Sequence, residues 1–228
     1  MITHALFPVL VCEFRYPKHE EFKKIFLENG LKYFDKDGYS QEETGHVSIH
    51  HEPAFEELYT FMSNCVKDYL RALHVDDNNF DINVVKSWLN VLDKRSTPKH
   101  SHKDAHISFT YYVNTPSNHK QNIVFYNYSP RMEPFDGCIS NNNTNNEWNV
   151  LNSYSWSFEP KEGTIFIFPA QIMHDTSGGP IVSDPGVKTT DDLIDRRICI
   201  ASDVLLTYKE KSAKSLGVQP VSNWRKFI

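Results

Sequence analysis

The stretch Pro98-Lys99-His100-Ser101-His102-Lys103-Asp104-Ala105-His106-Ile107-Ser108-Phe109-Thr110-Tyr111-Tyr112-Val113 decides how the chain is read. Imidazoles and a carboxylate stand on alternate residues and lead into a run of aromatic and β-branched side chains, which favour strands. Residues two apart in an extended chain share a face. His102 with Asp104, or His100 with His102, can therefore grip one metal ion from the same side. Further on, Gly163 to Pro169 reads as a buried strand, followed by a turn and His174. Another strand opens on a cation, Arg196-Arg197-Ile198-Cys199-Ile200-Ala201.

Working outward, short β-type runs recur at Phe80–Leu92, 107–113, 122–128, 154–158, 164–168 and 197–208, split by turn residues. Such punctuation predicts a sandwich or closed jelly roll. The region before residue 80 differs. A strand is expected within residues 5–15, a helix over 18–29 ended by Gly30, and a long helix opened by Pro53. In that helix Phe55, Leu58, Tyr59, Met62, Val66, Tyr69, Leu70 and Leu73 form one apolar stripe, suited to packing on a sheet. The expected architecture is mainly β, a double-stranded β-helix (jelly roll) with N-terminal helices on one sheet. It is a single domain: a helical support region 1–79, a jelly-roll core 80–208 and a tail 209–228. The Asn-rich segment 140–146 and the stretch 178–193 read as loops, either of which could serve as a lid over the barrel mouth. Trp224 and Phe227 are expected to dock the tail back on the body.

The 228 residues carry a net charge of −5 with 39% hydrophobic and 13% aromatic residues. That balance fits a globular domain and argues against a nucleic-acid grip driven by phosphate attraction. Cys12, Cys65, Cys138 and Cys199 are widely spaced, as reduced thiols of a cytoplasmic protein would be. No signal peptide and no apolar run long enough for a bilayer is evident. The oligomeric state is not legible. Neither a nucleophile elbow, a P-loop nor a dinucleotide fingerprint occurs.

In order, Leu6-Phe7-Pro8, Trp88-x-Asn90, His100-x-His102 to Ser108-x-x-Tyr111-Tyr112-Val113, Pro160-x-x-Gly163 to Phe168-Pro169, His174 and Arg197-Ile198-x-Ile200 span nearly the whole chain. Together they resemble the 2-oxoglutarate/Fe(II)-dependent oxygenases, and more closely an oxygenase family common in phage and marine microbial genomes, of prolyl-hydroxylase-like type. The resemblance implies an enzyme, a dioxygenase using Fe(II), 2-oxoglutarate and O2. It would hydroxylate a peptidyl or protein side chain, or a small molecule, in the cytoplasm (a host's, if phage-encoded). Iron that must also bind O2 and a ketoacid needs two neutral imidazoles, one carboxylate and open positions, the facial triad. That favours His102, Asp104 and His174 as ligands, with His100 the rival. Arg197 would fork onto the far carboxylate of 2-oxoglutarate. Tyr112, Asn90 and Tyr126 are further candidates for holding it. Cys199 stands where related enzymes often carry a serine.

Two other readings stay open. His100-x-His102-x-x-x-His106 resembles a cupin metal motif, and Gly163, Pro169 and His174 match the spacing of its second motif, although Gln171 replaces a glycine. Alternatively, the chain is a jelly-roll structural protein in which the histidines are incidental.

Overall fold

A computed structural model describes residues 8–35, 48–92, 96–117, 121–127, 153–176 and 186–226. The segment 140–146, the first half of 178–193, Cys138 and Phe227 lie outside them. Among the described residues eight strands follow in chain order: β1 (Cys12–Arg15), β2 (Phe80–Leu92), β3 (Ile107–Asn114), β4 (Ile123–Tyr126), β5 (Ser155–Phe158), β6 (Thr164–Pro169), β7 (His174–Thr176) and β8 (Arg197–Tyr208). The α-helices among these residues are α1 (His19–Asn29), α2 (Glu56–Ala72), α3 (Thr190–Ile194) and α4 (Glu210–Leu216).

The strands form an antiparallel five-stranded sheet, order β1-β6-β3-β8-β2, and a three-stranded sheet, order β5-β4-β7. This is the double-stranded β-helix architecture that the sequence predicts. β3 is buried at all eight positions, so its sequence is an unbroken run rather than an alternation. The reason is that both faces of the large sheet are covered. On one face, Leu89, Phe109, Tyr111, Ile165, Ile167, Ile198 and Ile200 pack with Phe22, Phe26, Leu58, Met62 and Tyr69 of α1 and α2. On the other, Tyr112, Phe166, Phe168 and Cys199 meet Ile123 and Phe125 of the small sheet. The second face is the inner one, and the candidate site lies on it.

Local signals work in detail, with instructive exceptions. Gly30 closes α1 in a right-handed conformation (φ −69), so it is not a left-handed cap. Its need is spatial: a Cβ there would lie 3.2 Å from Phe26 and 3.3 Å from Leu193. Residues 190–193, expected as loop, belong to a short helix, Thr190–Ile194, because Thr189 and Asp192 make a reciprocal capping box. Trp224 is 63% exposed, so it does not dock the tail on the body. Among the described residues no helix is long and apolar enough to cross a membrane.

Candidate metal centre

The segment 96–106 crosses from one sheet to the other and so brings its histidines between them. At its start it pairs with β7: His100 N donates to His174 O and His174 N to His100 O, both at 2.9 Å. His102 N then donates to Ala170 O (2.8 Å), and His106 N to Val204 O on the large sheet (3.0 Å). Two segments distant in sequence thus deliver three imidazoles to one end of the sandwich.

One ligand nitrogen each from His100, His102 and His174 lies within 4.8 Å of the others. Each Nδ1 faces an oxygen acceptor: Pro98 O for His100 (2.7 Å), Asp203 Oδ1 for His102 (2.5 Å) and Ile172 O for His174 (3.0 Å). A carbonyl or carboxylate only accepts, so the proton sits on Nδ1 and the Nε2 lone pair is left for a metal. His102 Nε2 is buried with no hydrogen-bond partner among the described residues. Burial lowers the pKa of His100, and it lowers that of His174 to about 4 with a smaller push from His100 and His102. Both rings are therefore neutral at pH 7, the state that coordinates. Three converging imidazoles, one with an orphaned buried nitrogen, fit a divalent transition metal.

Arg197 opens β8 on the same inner face, six residues before Asp203; residues an even number apart share a face. It is 1% exposed. Nη2 donates to the Tyr112 hydroxyl at 3.3 Å, and the guanidinium sits 5.0 Å from that ring's centroid. Burial pushes the Tyr112 hydroxyl up to about 12, so it stays protonated. Nε and Nη1 of Arg197 have no partner among the described residues. A buried, half-satisfied guanidinium is costly alone and suits an incoming carboxylate. Beside them Phe168 and Phe125 reach the His174 ring at 4.9 and 6.1 Å.

Of the residues singled out from sequence, His100, His102 and His174 are brought together, and Arg197 and Tyr112 form a pair. Asn90 is half-buried on β2 opposite Cys199, facing the same interior. Asp104 is exposed and outside the cluster. The chain bends at Lys103 and Asp104, so the period of two that would set Asp104 beside His102 is broken there. Tyr126 is engaged elsewhere: its hydroxyl donates to Asp175 Oδ2 (2.8 Å), and the Lys99 ammonium sits over its ring. His106, the third histidine of the cupin-like spacing, is exposed and its Nδ1 accepts from Leu206 N (3.1 Å). Sequence reasoning missed Asp203 and Ser108. The available signal was an acidic residue deep in an apolar strand, which requires a partner.

Residues 86–180, about two fifths of the chain, match the model of a family described as "Putative 2OG-Fe(II) oxygenase". No curated protein matches significantly. Among solved structures, EctD from S. alaskensis with bound Fe has a TM-score of 0.53 at 14% identity, over 87% of this chain and 73% of that one. The α-ketoglutarate-dependent epimerase SnoN from nogalamycin biosynthesis gives 0.51 at 9%, over 97% and 89%. An oxidoreductase of the 2OG-Fe(II) oxygenase family from Burkholderia pseudomallei gives 0.36 at 9%, over 55% of this chain and only 46% of that one. For EctD and SnoN, at these identities, the likeness shows the shared fold.

Proposed function

We propose that the chain uses Fe(II), held by His100, His102 and His174, with 2-oxoglutarate and O2 to hydroxylate a C–H bond. A peptidyl or protein side chain is the first substrate class. The observation that carries this reading is one interior bearing both three convergent imidazole lone pairs and a buried guanidinium with two unpartnered nitrogens. A cytoplasmic setting fits Cys12, Cys65 and Cys199, none of which forms a disulfide among the described residues.

When bound, Fe(II) and 2-oxoglutarate supply the redox chemistry: the ketoacid, O2 and a substrate C–H become succinate, CO2 and C–OH. The chain's residues supply geometry. His100 and His174 bind as neutral rings because burial keeps protons off them. Arg197 receives the distal carboxylate of 2-oxoglutarate through Nε and Nη1, and the neutral Tyr112 hydroxyl steadies the guanidinium. Phe125, Phe166 and Phe168 keep water from the space between.

The three-histidine set also suits a cupin-like metal protein, which has no need of a buried Arg197. Succinate formation separates the two. Protein loaded with Fe(II) is given 2-oxoglutarate in air, with and without a pool of peptides. Iron-dependent succinate release, lost in Arg197→Met, supports the oxygenase; tight metal binding with no succinate under any condition supports the cupin-like protein. A companion metal titration reads the ligand set. His100→Ala is expected to lose the metal and Asp104→Ala to keep it, and the reverse pattern would restore Asp104 as a ligand.

A further inference from the structure

The proposed ligand set contains no carboxylate, yet a buried carboxylate stands directly behind one of its members. Asp203 is 3% exposed. Its Oδ1 accepts the Nδ1 proton of His102 at 2.5 Å and the hydroxyl of Ser108 at 2.7 Å. Asp203 and Ser108 face each other across the β3–β8 ladder, so the carboxylate is fixed by two central strands. His102 is also held by its faces. Trp88 stacks on it at 5.6 Å and 29°, and His100 at 5.2 Å and 26°.

We infer that Asp203 is a positioning residue of the metal centre, whose charge, one imidazole away, takes the place of the carboxylate ligand that the three histidines lack. The inference rests on the ligand set proposed above. Three imidazoles bring no charge to a dication, whereas two imidazoles and a carboxylate bring one negative charge. A carboxylate accepting Nδ1–H fixes the tautomer and makes the opposite nitrogen a stronger donor. In turn, an ionised carboxylate buried between strands is costly unless it is satisfied. The His102 and Ser108 donors satisfy it in part, and a dication on the far side of the His102 ring would complete the compensation. The two-residue spacing of a conventional site thus survives in His100 and His102, with the negative charge moved from the metal's own ligands to a strand behind them.

Metal-free protein titrated with Co(II) alone, followed by visible absorption, tests this without turnover. Asp203→Asn keeps the shape and removes the charge. It is expected to bind Co(II) about 10–100-fold more weakly, with a displaced Co(II) spectrum that a merely structural residue would not cause. Ser108→Ala, which removes one of the two donors, is expected to shift affinity the same way by less. Melting of the metal-free variants shows whether each folds. If Asp203→Asn does not fold, Ser108→Ala decides, and wild-type affinity there overturns the inference. Wild-type affinity and spectrum in a folded Asp203→Asn overturn it too, and leave the proposed activity standing. A wild-type chain that binds no Co(II) overturns both.

Discussion

Replacing Arg197 with Met should stabilise the resting protein while abolishing its response to 2-oxoglutarate. The guanidinium is 1% exposed, and Nε and Nη1 have no partner among the described residues. The desolvation penalty of an unpaired buried ion is several kcal/mol, so removing it relieves about that much. Against this stand one long hydrogen bond to Tyr112, worth about 1 kcal/mol, and a cation–π contact worth about 1–2 kcal/mol. The balance is a gain of about 2 kcal/mol, which raises the Tm of a domain this size by about 4–8 °C. Wild-type protein gains stability only when the dicarboxylate arrives: at a hundredfold excess over Kd a ligand adds about 2.7 kcal/mol. Scanning calorimetry of both proteins, with Zn(II) in place of Fe(II) and with or without 2-oxoglutarate, reads all four states. The expected result is a variant that melts higher than the wild type without co-substrate and does not move with it. A variant that melts lower than the wild type, and still shifts on adding 2-oxoglutarate, would show that Arg197 does not receive the dicarboxylate.

Three further outcomes follow from the same structure. Gly163 has φ +78, and a Cβ there would meet His19 at 2.9 Å. Gly163→Ala should therefore lose about 1–3 kcal/mol, read as the urea midpoint. Tyr126→Phe leaves Asp175 without its hydroxyl donor and should cost about 1–3 kcal/mol, while the substitution keeps an aromatic ring beneath the Lys99 ammonium; equal melting of variant and wild type would sink that assignment. His19 is buried, and burial lowers its pKa below the ordinary 6.5 while Glu20 and Glu162 pull weakly the other way. The unfolded state then binds the extra proton first, so stability present above about pH 6.5 is lost as pH falls towards the folded pKa. Chemical denaturation of metal-free protein between pH 7 and 5 should show this slope. His19→Gln should reduce the slope without erasing it, since His100 and His174 are shifted in the same direction.

Much of the fold was legible because its signals are local. The β-branched and aromatic runs give β2 and β8 their full extent, Phe80–Leu92 and Arg197–Tyr208, and the apolar stripe gives α2. The candidate site was singled out in part: the sequence favoured His102, Asp104 and His174 with His100 as the rival, and Arg197, each near a strand entrance, where a sandwich gathers side chains from distant segments. Asp104 illustrates the limit. Alternation holds only while the chain stays extended, and the bend at Lys103 and Asp104 leaves the carboxylate exposed. Asp203 illustrates another: its partners lie 101 and 95 residues away, reached through sheet register that no local pattern encodes. Trp224 looked like an anchor because tryptophan is usually covered. What decides is whether the body offers a groove, and that is a property of the surface rather than of the tail.

In the proposed function His100, His102, His174 and Arg197 serve one metal–ketoacid complex. Anaerobic titration of metal-free protein with Fe(II) and then 2-oxoglutarate, followed by visible absorption, tests this. A weak charge-transfer band in the visible range is expected that needs both additions, is lost in His174→Ala and is weakened in Arg197→Met. Bound Fe(II) with no band at any 2-oxoglutarate concentration would overturn the proposed complex.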